Sequence, residues 1–486
     1  PHSFPTRRSS DLAATQAYRW ISRHLPAHAF SIFAGPGNNG GDALAIARML
    51  ANDGKKVSVF LYRTEKLSPD AAANFQSLSD IPSVEMIDLS QNPFPESIPE
   101  GMVAIDGLFG SGLNRPLNDK ASAITSFINR NYSIIVSIDV PSGLFCEDNT
   151  GNHYENIIRA SYTLTFQRPK LSFLFAENRQ QVGKWEVLPI GLSENQINST
   201  PTPWKITTAD DLKTMIIPPH KFAHKGTMGH ALLIAGSLGK TGAAILASRA
   251  CLKAGVGLLT AHVPHSAVSV LQTAVPEAIL SIDRSDLMFT EHPDLTPFSA
   301  IGIGPGLSTW VNAQRALADL LDAAPNRKMV IDADGLNILS THPDILEILP
   351  PETILTPHPK EFERLAGTSG NDYQRLEKAI HFAQKTRCII VLKGAYSAVV
   401  TPEGDVWFNT TGNPGMATGG SGDALTGIIL ALLASGHPPL EAARIAVYIH
   451  GKAGDLAAEK GQRGTISSDI IEKIGSAFAK TCENNA

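Results

Sequence analysis

The segment NPGMATGGSGD, residues 413–423, runs directly into the apolar stretch Ala424–Leu433. Four glycines within eight residues leave this backbone free to adopt positive φ and to approach a ligand closely. Leu425, Ile428, Ile429, Leu432 and Leu433 recur at helical spacing, so the loop is expected to empty into a helix N-terminus. Unpaired N–H groups and the positive end of the helix dipole favour an anion such as phosphate there. Asp423 stands where that helix begins, either as a base beside the anion or as a cap on a chain that the glycines merely turn. A loop this poor in side chains favours the anion site.

A second glycine-rich loop lies near the other end of the chain. The short apolar strand Ala29–Ala34 ends in GPGNNGGD, residues 35–42, and a helix over Ala43–Leu50 follows. Strand, glycine loop, helix is a phosphate-cradling order in an α/β sheet. Further strands are expected at Val57–Leu61, Met102–Asp106 and Ile134–Asp139, with a helix over Asp70–Ser79. Such alternation implies a parallel sheet, whose ligands bind beyond the carboxyl ends of the strands. Asp42, Asp106 and Asp139 fall in three separate loops of that kind. Any one of them alone reads as a turn residue, but three together point to a site. Ahead of this region, Ala14, Ala17, Tyr18, Ile21 and Leu25 mark one face of a helix over Ala13–Leu25. Pro1–Leu12, with two prolines, adjacent arginines and no periodicity, reads as disordered or foreign to the fold.

The alternation stops and then restarts. Residues 192–205 are rich in Ser, Thr, Asn and Pro and read as a linker between domains 13–191 and 206–486. Beyond it, strands are expected at Ala231–Ala235, Leu258–Val263, Ala300–Ile303, Met329–Asp332, Thr353–Leu355 and Cys388–Leu392. Their ends carry Gly, Pro, Asp and His, as a nucleotide site in a second doubly wound domain requires. GSLGKT, residues 236–241, is close to a P-loop ending, but Ile234 stands where its first glycine belongs, so Lys240 reads as a solvated loop lysine. His358 is held between Pro357 and Pro359 and reads equally as a rigid ligand contact or a structural histidine.

Composition narrows the classes. A chain of 486 residues exceeds one ordinary core, and 43% hydrophobic with 18% charged residues is that of a globular protein. A net charge of −5 gives no footprint for nucleic acid or an anionic membrane. Cys146, Cys251, Cys388 and Cys482 are widely spaced without a CxxC, which argues against disulfides or zinc and for a reducing, cytoplasmic setting. No apolar run reaches the roughly 18 residues that span a bilayer.

The pairing of GPGNNGGDA in the first half with NPGMATGGSGDALTG in the second resembles the bifunctional NAD(P)H-hydrate repair enzymes, over nearly the whole chain from Ala13 onward. The resemblance implies two α/β domains: a Rossmann-like NAD(P)HX epimerase and a ribokinase-like, ADP-dependent NAD(P)HX dehydratase. It implies that Asn38, Asn39, Gly40, Gly41 and Asp42 hold the hydrated nucleotide in the epimerase. Gly110, Ser111, Gly112, Leu113, Asn114, Arg115 and Pro116 would wrap its phosphates, and Asp139 would touch the substrate. Asn39, Asp106 and Ser142 are the implied potassium ligands, and Asp139 with Lys170 the candidates for acid–base work. In the dehydratase, Ala243, Gly306, His358 and Asp423 match substrate contacts. Lys393, Gly394, Ala395, Tyr396, Ser397 and Gly422 match the positions that bind AMP or ADP. Asp423 is the implied base, with magnesium accompanying ADP.

Family members carry a further N-terminal helical stretch before GPGNNGGD. Here it is expected to be shortened, with Pro1–Leu12 in its place, which weakens the expectation for the epimerase half and its self-association. A homo-oligomer without nucleic-acid or membrane partners is expected. The alternatives are a ribokinase-like kinase of a vitamin precursor with a fused nucleotide-binding domain, and a nucleotide-binding module without turnover. The first does not explain the fused domain; the second does not need acids at Asp42, Asp139 and Asp423.

Overall fold

Apolar strands closed off by glycine loops build two separate sheets in the computed structural model of the chain, which describes residues 6–63 and 67–482. Contacts divide the chain into two compact units, the first running to Pro201 and the second holding Thr202–Gly370 and Gln374–Ala486.

The first unit contains β1 (Ala29–Ala34), β2 (Lys56–Leu61), β3 (Glu85–Asp88), β4 (Val103–Gly107), β5 (Ile134–Ile138), β6 (Tyr162–Phe166) and β7 (Lys184–Leu188). They form one parallel sheet in the order β3-β2-β1-β4-β5-β6-β7. Alternation along β1 sends Phe30 and Ile32 into one apolar core and Phe33 into another, so both faces of the sheet are covered. The winding direction reverses between β1 and β4, and a ligand crevice is expected beyond their carboxyl ends.

The first helix spans Thr6–His24, beginning earlier than the apolar periodicity shows. Residues 6–12 are therefore helical, a correction to the expectation of disorder, while Pro1–Pro5 lie outside the described residues. Apolar spacing cannot reveal a helical turn that extends beyond the apolar face. Ala14, Ala17 and Ile21 of this helix are fully buried, and Trp20 Nε1 donates to Glu186 Oε2 at 2.5 Å.

The second unit adds β8 (Trp204–Ile206), β9 (His230–Ile234), β10 (Leu258–Pro264), β11 (Ile279–Asp283), β12 (Ala300–Ile303), β13 (Lys328–Ile331), β14 (Ile354–Leu355), β15 (Ile389–Leu392), β16 (Ala398–Val400) and β17 (Val406–Phe408). Their order is β11-β10-β9-β12-β13-β14-β15-β16-β17-β8, parallel except where β16 runs antiparallel to β15 and β17. The expected linker is thus partly ordered structure. Glu194–Asn198 is a short helix, and Trp204 already pairs with Val406 in the second sheet.

The helix Ser421–Ala434 is buried all round from Ala424 onward and is the central helix of this unit. It lies on the helix Thr241–Lys253, where a Cβ on Gly427 would stand 2.2 Å from the Ala247 carbonyl oxygen. Only glycine allows that approach. The helix start is thereby fixed against its neighbour, and with it the position of Asp423.

Candidate active sites

In the first unit, the loop after β1 and the loop after β4 meet over the crevice. A Cβ on Gly35 would lie 1.8 Å from the Leu108 carbonyl oxygen, so this contact admits glycine alone. Between the loops opens a cavity of about 560 Å³ lined by Asn38, Asn39, Asp42, Gly110, Ser111, Gly112, Leu113 and Asp139, with Leu108, Phe109 and Phe166 among the remaining walls. Gly40 and Gly41 lie in the first turn of the helix Asn38–Asn52 and pack against backbone beneath the cavity lining. Asn114, Arg115 and Pro116, expected to wrap phosphates, are not among the lining residues.

Asp139 follows β5 with φ of +63°, an uncommon conformation for an aspartate, and its carboxylate is tightly partnered. Lys170 Nζ stands 2.8 Å from its Oδ1, Thr165 Oγ1 donates to Oδ1 at 3.3 Å, and the Ser111 N–H donates to Oδ2 at 3.3 Å. Both members of the Asp139–Lys170 pair are largely shielded from solvent, at 14% and 18% side-chain exposure.

Beneath this cavity Asp106 is fully buried. It accepts hydrogen bonds from Ser142 Oγ at 2.5 Å, Ser137 Oγ at 2.7 Å and the Ser142 N–H at 2.9 Å. Burial raises its pKa, against the lowering effect of those donors. Asn39 Nδ2 donates to the Phe109 carbonyl at 2.9 Å, and Ser142 Oγ accepts from the Phe109 N–H at 2.9 Å. Asn39, Asp106 and Ser142 therefore converge on one stretch of backbone.

The second unit holds a larger cavity of about 910 Å³, within the range of nucleotide sites. His358, Lys393, Gly394, Ala395, Tyr396, Ser397, Gly422 and Asp423 all line it. The helix Ser421–Ala434 starts from Gly420 at φ of +88°, and no side chain caps its N–H groups. A Cβ on Gly420 would stand 2.3 Å from Leu246 Cδ1, while Ser467 Oγ ties down the Gly419 carbonyl at 2.8 Å. Asn413 Nδ2 and the Gly412 N–H both bond Asp455, at 3.0 and 3.1 Å, which anchors the far end of the loop. The glycine loop is thus a held scaffold that presents N–H groups to the cavity.

Asp423 occupies the first turn of that helix and is not its cap. Burial, then the neighbouring Asp332, push its carboxyl up to about 6, against the lowering effect of Lys393. Lys393 itself lies 2.8 Å from Asp332 Oδ1 and 3.7 Å from Glu361 Oε2. Burial disfavours its charge, but the carboxylates of Asp332 and Glu361 outweigh this and hold its pKa above the usual lysine value. His450 is pushed down to about 4 by burial and by Lys393, and its Nε2 lies 3.2 Å from Ser421 Oγ.

His358 caps a helix and also lies on the cavity wall. Its Nδ1 accepts from the N–H groups of Lys360 and Glu361 and caps the helix Pro359–Ala366, yet the side chain still borders the cavity. Ala243, in the first turn of the helix Thr241–Lys253, faces Gly306 in the loop after β12, where Ser237 Oγ donates to the Gly306 carbonyl at 2.8 Å. They are near one another, since a Cβ on Gly306 would stand 3.1 Å from Ala243 Cβ, but they do not line the main cavity. Lys240 is an exposed lysine that also pairs with Asp334 at 3.0 Å.

A family model described as NAD(P)H-hydrate dehydratase matches residues 231–476, and one described as YjeF-related protein N-terminus matches residues 10–172. The chain is 36% identical over 459 residues to the bifunctional NAD(P)H-hydrate repair enzyme of Moorella thermoacetica, covering 91% of this chain and 86% of that protein. The chain belongs to the bifunctional NAD(P)H-hydrate repair enzymes. The family member of Escherichia coli is 31% identical over 465 residues, covering 95% of this chain and 87% of its own length. Among solved structures, the ADP/ATP-dependent NAD(P)H-hydrate dehydratase of Bacillus subtilis, co-crystallized with ATP/Mg2+, matches with a TM-score of 0.50 and 29% identity, over 57% of this chain and 98% of that one. A ribokinase-like superfamily protein of Enterococcus faecalis matches at 0.53 and 28% identity, over 59% of this chain and 99% of its own. Similarity to repair enzymes extends over both units, which the kinase alternative does not account for.

Several residues of these sites carry no local sequence signal. Thr165 and Phe166 come from β6, whose mixed polar and apolar residues give no clear period, and His450 meets Ser421 of the glycine loop only through helix packing. Asp332 ends an expected strand and Glu361 follows the Pro357–Pro359 loop, but only the fold brings them both to Lys393.

Proposed function

We propose that the first unit interconverts the R and S epimers of hydrated NADH and NADPH, and that the second dehydrates the S epimer with ADP to give NAD(P)H, AMP and phosphate. The observation that carries this reading is Asp423: a half-buried acid raised to about 6, at the uncapped start of a helix, on the wall of a nucleotide-sized cavity.

In the dehydratase, Asp423 takes the proton of the C6 hydroxyl as that oxygen attacks the terminal phosphorus of ADP, and AMP departs. The N–H groups of Gly419–Gly422 steady the transferred phosphoryl group. The C6–O bond then breaks with phosphate as the leaving group, C5 gives up a proton, and the ring double bond is restored. Lys393, Gly394, Ala395, Tyr396, Ser397 and Gly422 bind the adenine nucleotide, while Ala243, Gly306 and His358 hold the hydrate. Magnesium would accompany ADP, held by the oxygens of its phosphates.

In the epimerase, Asn38, Asn39, Asp42 and the loop Gly110–Leu113 receive the hydrate. Asp139 and Lys170, 2.8 Å apart, serve ring opening: Asp139 takes the C6 hydroxyl proton, Lys170 protonates the ring nitrogen, the C6–N bond breaks to leave an aldehyde, and the nitrogen recloses on its other face as both protons return. Asn39, Asp106 and Ser142 fit potassium by the chemistry of their donors, since all offer hard oxygens and the partners of Asp106 are hydroxyl and backbone N–H groups. Potassium held by these residues would supply a fixed positive charge. We propose a homo-oligomer working in a reducing cytoplasm, in keeping with four free cysteines; no helix among the described residues is long and apolar enough to cross a membrane.

Chromatography of the products tests the whole reading. Incubation of mixed hydrates with ADP should consume both epimers and release AMP and phosphate in equal amounts. Consumption of ATP with a vitamin alcohol, leaving the hydrates intact, would favour the kinase instead.

A further inference from the structure

Asp332 follows β13 and is 1% exposed, yet the roles assigned above leave it out. Both its oxygens are committed. Oδ1 accepts from Lys393 Nζ at 2.8 Å, and Oδ2 accepts from Thr426 Oγ1 at 2.8 Å. Thr426 lies about one helical turn beyond Asp423 on the same helix. A Cβ on Gly422 would stand 3.3 Å from Lys393 Nζ and 3.6 Å from Asp332 Oδ2. The Asp332–Lys393 pair therefore sits directly beneath the first turn of the helix that carries Asp423. Stability is a weak reason for such a pair, because removing two charges from water offsets most of their attraction.

We infer that Asp332 is a positioning residue for phosphoryl transfer: it pins Lys393 beneath the start of the helix that carries Asp423 and ties that helix down through Thr426. The inference rests on the reading of Asp423 as the base. The other charged groups acting on Asp423 are Lys393 after β15, Glu361 on the helix Pro359–Ala366, and Asp334 on the helix Asp334–Thr341. His450, on the helix Pro439–Ala457, faces the same helix start through Ser421. Asp334 is occupied elsewhere, accepting from Lys240 Nζ at 3.0 Å and from the Ser308 N–H at 2.9 Å. Glu361 is turned toward His358, whose N–H it accepts at 2.8 Å. Asp332 is the carboxylate bonded both to Lys393 and to the catalytic helix itself.

A neighbouring negative charge makes it harder for Asp423 to lose its proton, and Lys393 makes it easier. Removing the charge of Asp332 takes away the first influence and leaves the second less opposed. Both changes move Asp423 in the same direction, toward losing its proton at lower pH.

The test is the dependence of kcat/KM for the S hydrate on pH, from about pH 5 to about pH 8, with ADP held fixed. Asp332→Asn keeps the shape and an acceptor for Thr426 but loses the charge. Its acid limb should move down by on the order of one pH unit, and kcat at pH 7 should fall roughly tenfold as Lys393 loosens. Asp332→Ser loses the same charge in a smaller side chain and should give the same shift where the asparagine is not tolerated. Thr426→Val removes a hydrogen bond but no charge, and its acid limb should stay with that of the parent. An unmoved limb in the Asp332 variants, with Asp423→Asn inactive, overturns this inference alone. A limb moved equally by Thr426→Val would reduce Asp332 to a packing role. Activity retained in Asp423→Asn would overturn the base reading beneath both.

Discussion

Each unit sets an aspartate against a lysine, and the two pairings differ in whom the lysine serves. In the first unit Lys170 bonds Asp139 directly at 2.8 Å, giving a self-contained acid and base within one hydrogen bond. In the second unit Lys393 bonds Asp332 at 2.8 Å, and Asp423 is left beside a carboxylate that has already taken the nearest cation. The first arrangement suits one proton taken at the C6 hydroxyl as another is given to the ring nitrogen, the demand of ring opening. The second suits a base that must hold a proton near neutral pH and release it in the next turnover. On the proposed reading, one strand–loop–helix plan serves two chemistries, and the difference lies in which carboxylate the lysine neutralises.

The contrast can be broken in graded steps. Asp423→Ala should reduce NADH recovery from the S hydrate by on the order of a thousandfold, while the rate of R–S interconversion, followed by chromatography, stays unchanged. Lys170→Ala should show the converse, with a loss of about a hundredfold in interconversion and an unaltered rate on purified S hydrate. If either variant damaged both activities equally, the two lysine–aspartate pairs would not be separate machines. A pH series sharpens the comparison further. Asp423 must be ionised to accept a proton, and its carboxyl is raised to about 6, so dehydration should weaken as pH falls through that value. Below it, kcat/KM should drop about tenfold per pH unit. Gly427→Ala should have the smallest effect on chemistry. Its new Cβ would stand 2.2 Å from the Ala247 carbonyl oxygen, so a stability loss of about 1–3 kcal/mol is expected, read as a lowered melting temperature with a near-normal pH profile.

Much of this arrangement is legible in the sequence because strands that end in glycine loops announce themselves locally. The span Ala29–Ala34 and the apolar run from Ala424 appear where apolar content and glycine place them. Short strands such as Glu85–Asp88 and Val406–Phe408 are only partly apolar or too brief for a period to register, so partners across the sheet define them. Trp204–Ile206 is hidden for the same reason inside a stretch whose composition reads as linker. The sites divide along the same line. Asp423 and Asp139 stand in loops that mark them, whereas Asp332, Thr165 and His450 act through neighbours far away in the chain. Which carboxylate a lysine neutralises is a fact of packing, and no local motif encodes it.

The most direct test is recovery of NADH absorbance from purified S hydrate and ADP, comparing the parent chain with Asp423→Ala and Lys170→Ala. The account predicts full recovery by the parent and by Lys170→Ala, and none within the same time by Asp423→Ala. Recovery by Asp423→Ala at a rate close to that of the parent would contradict it.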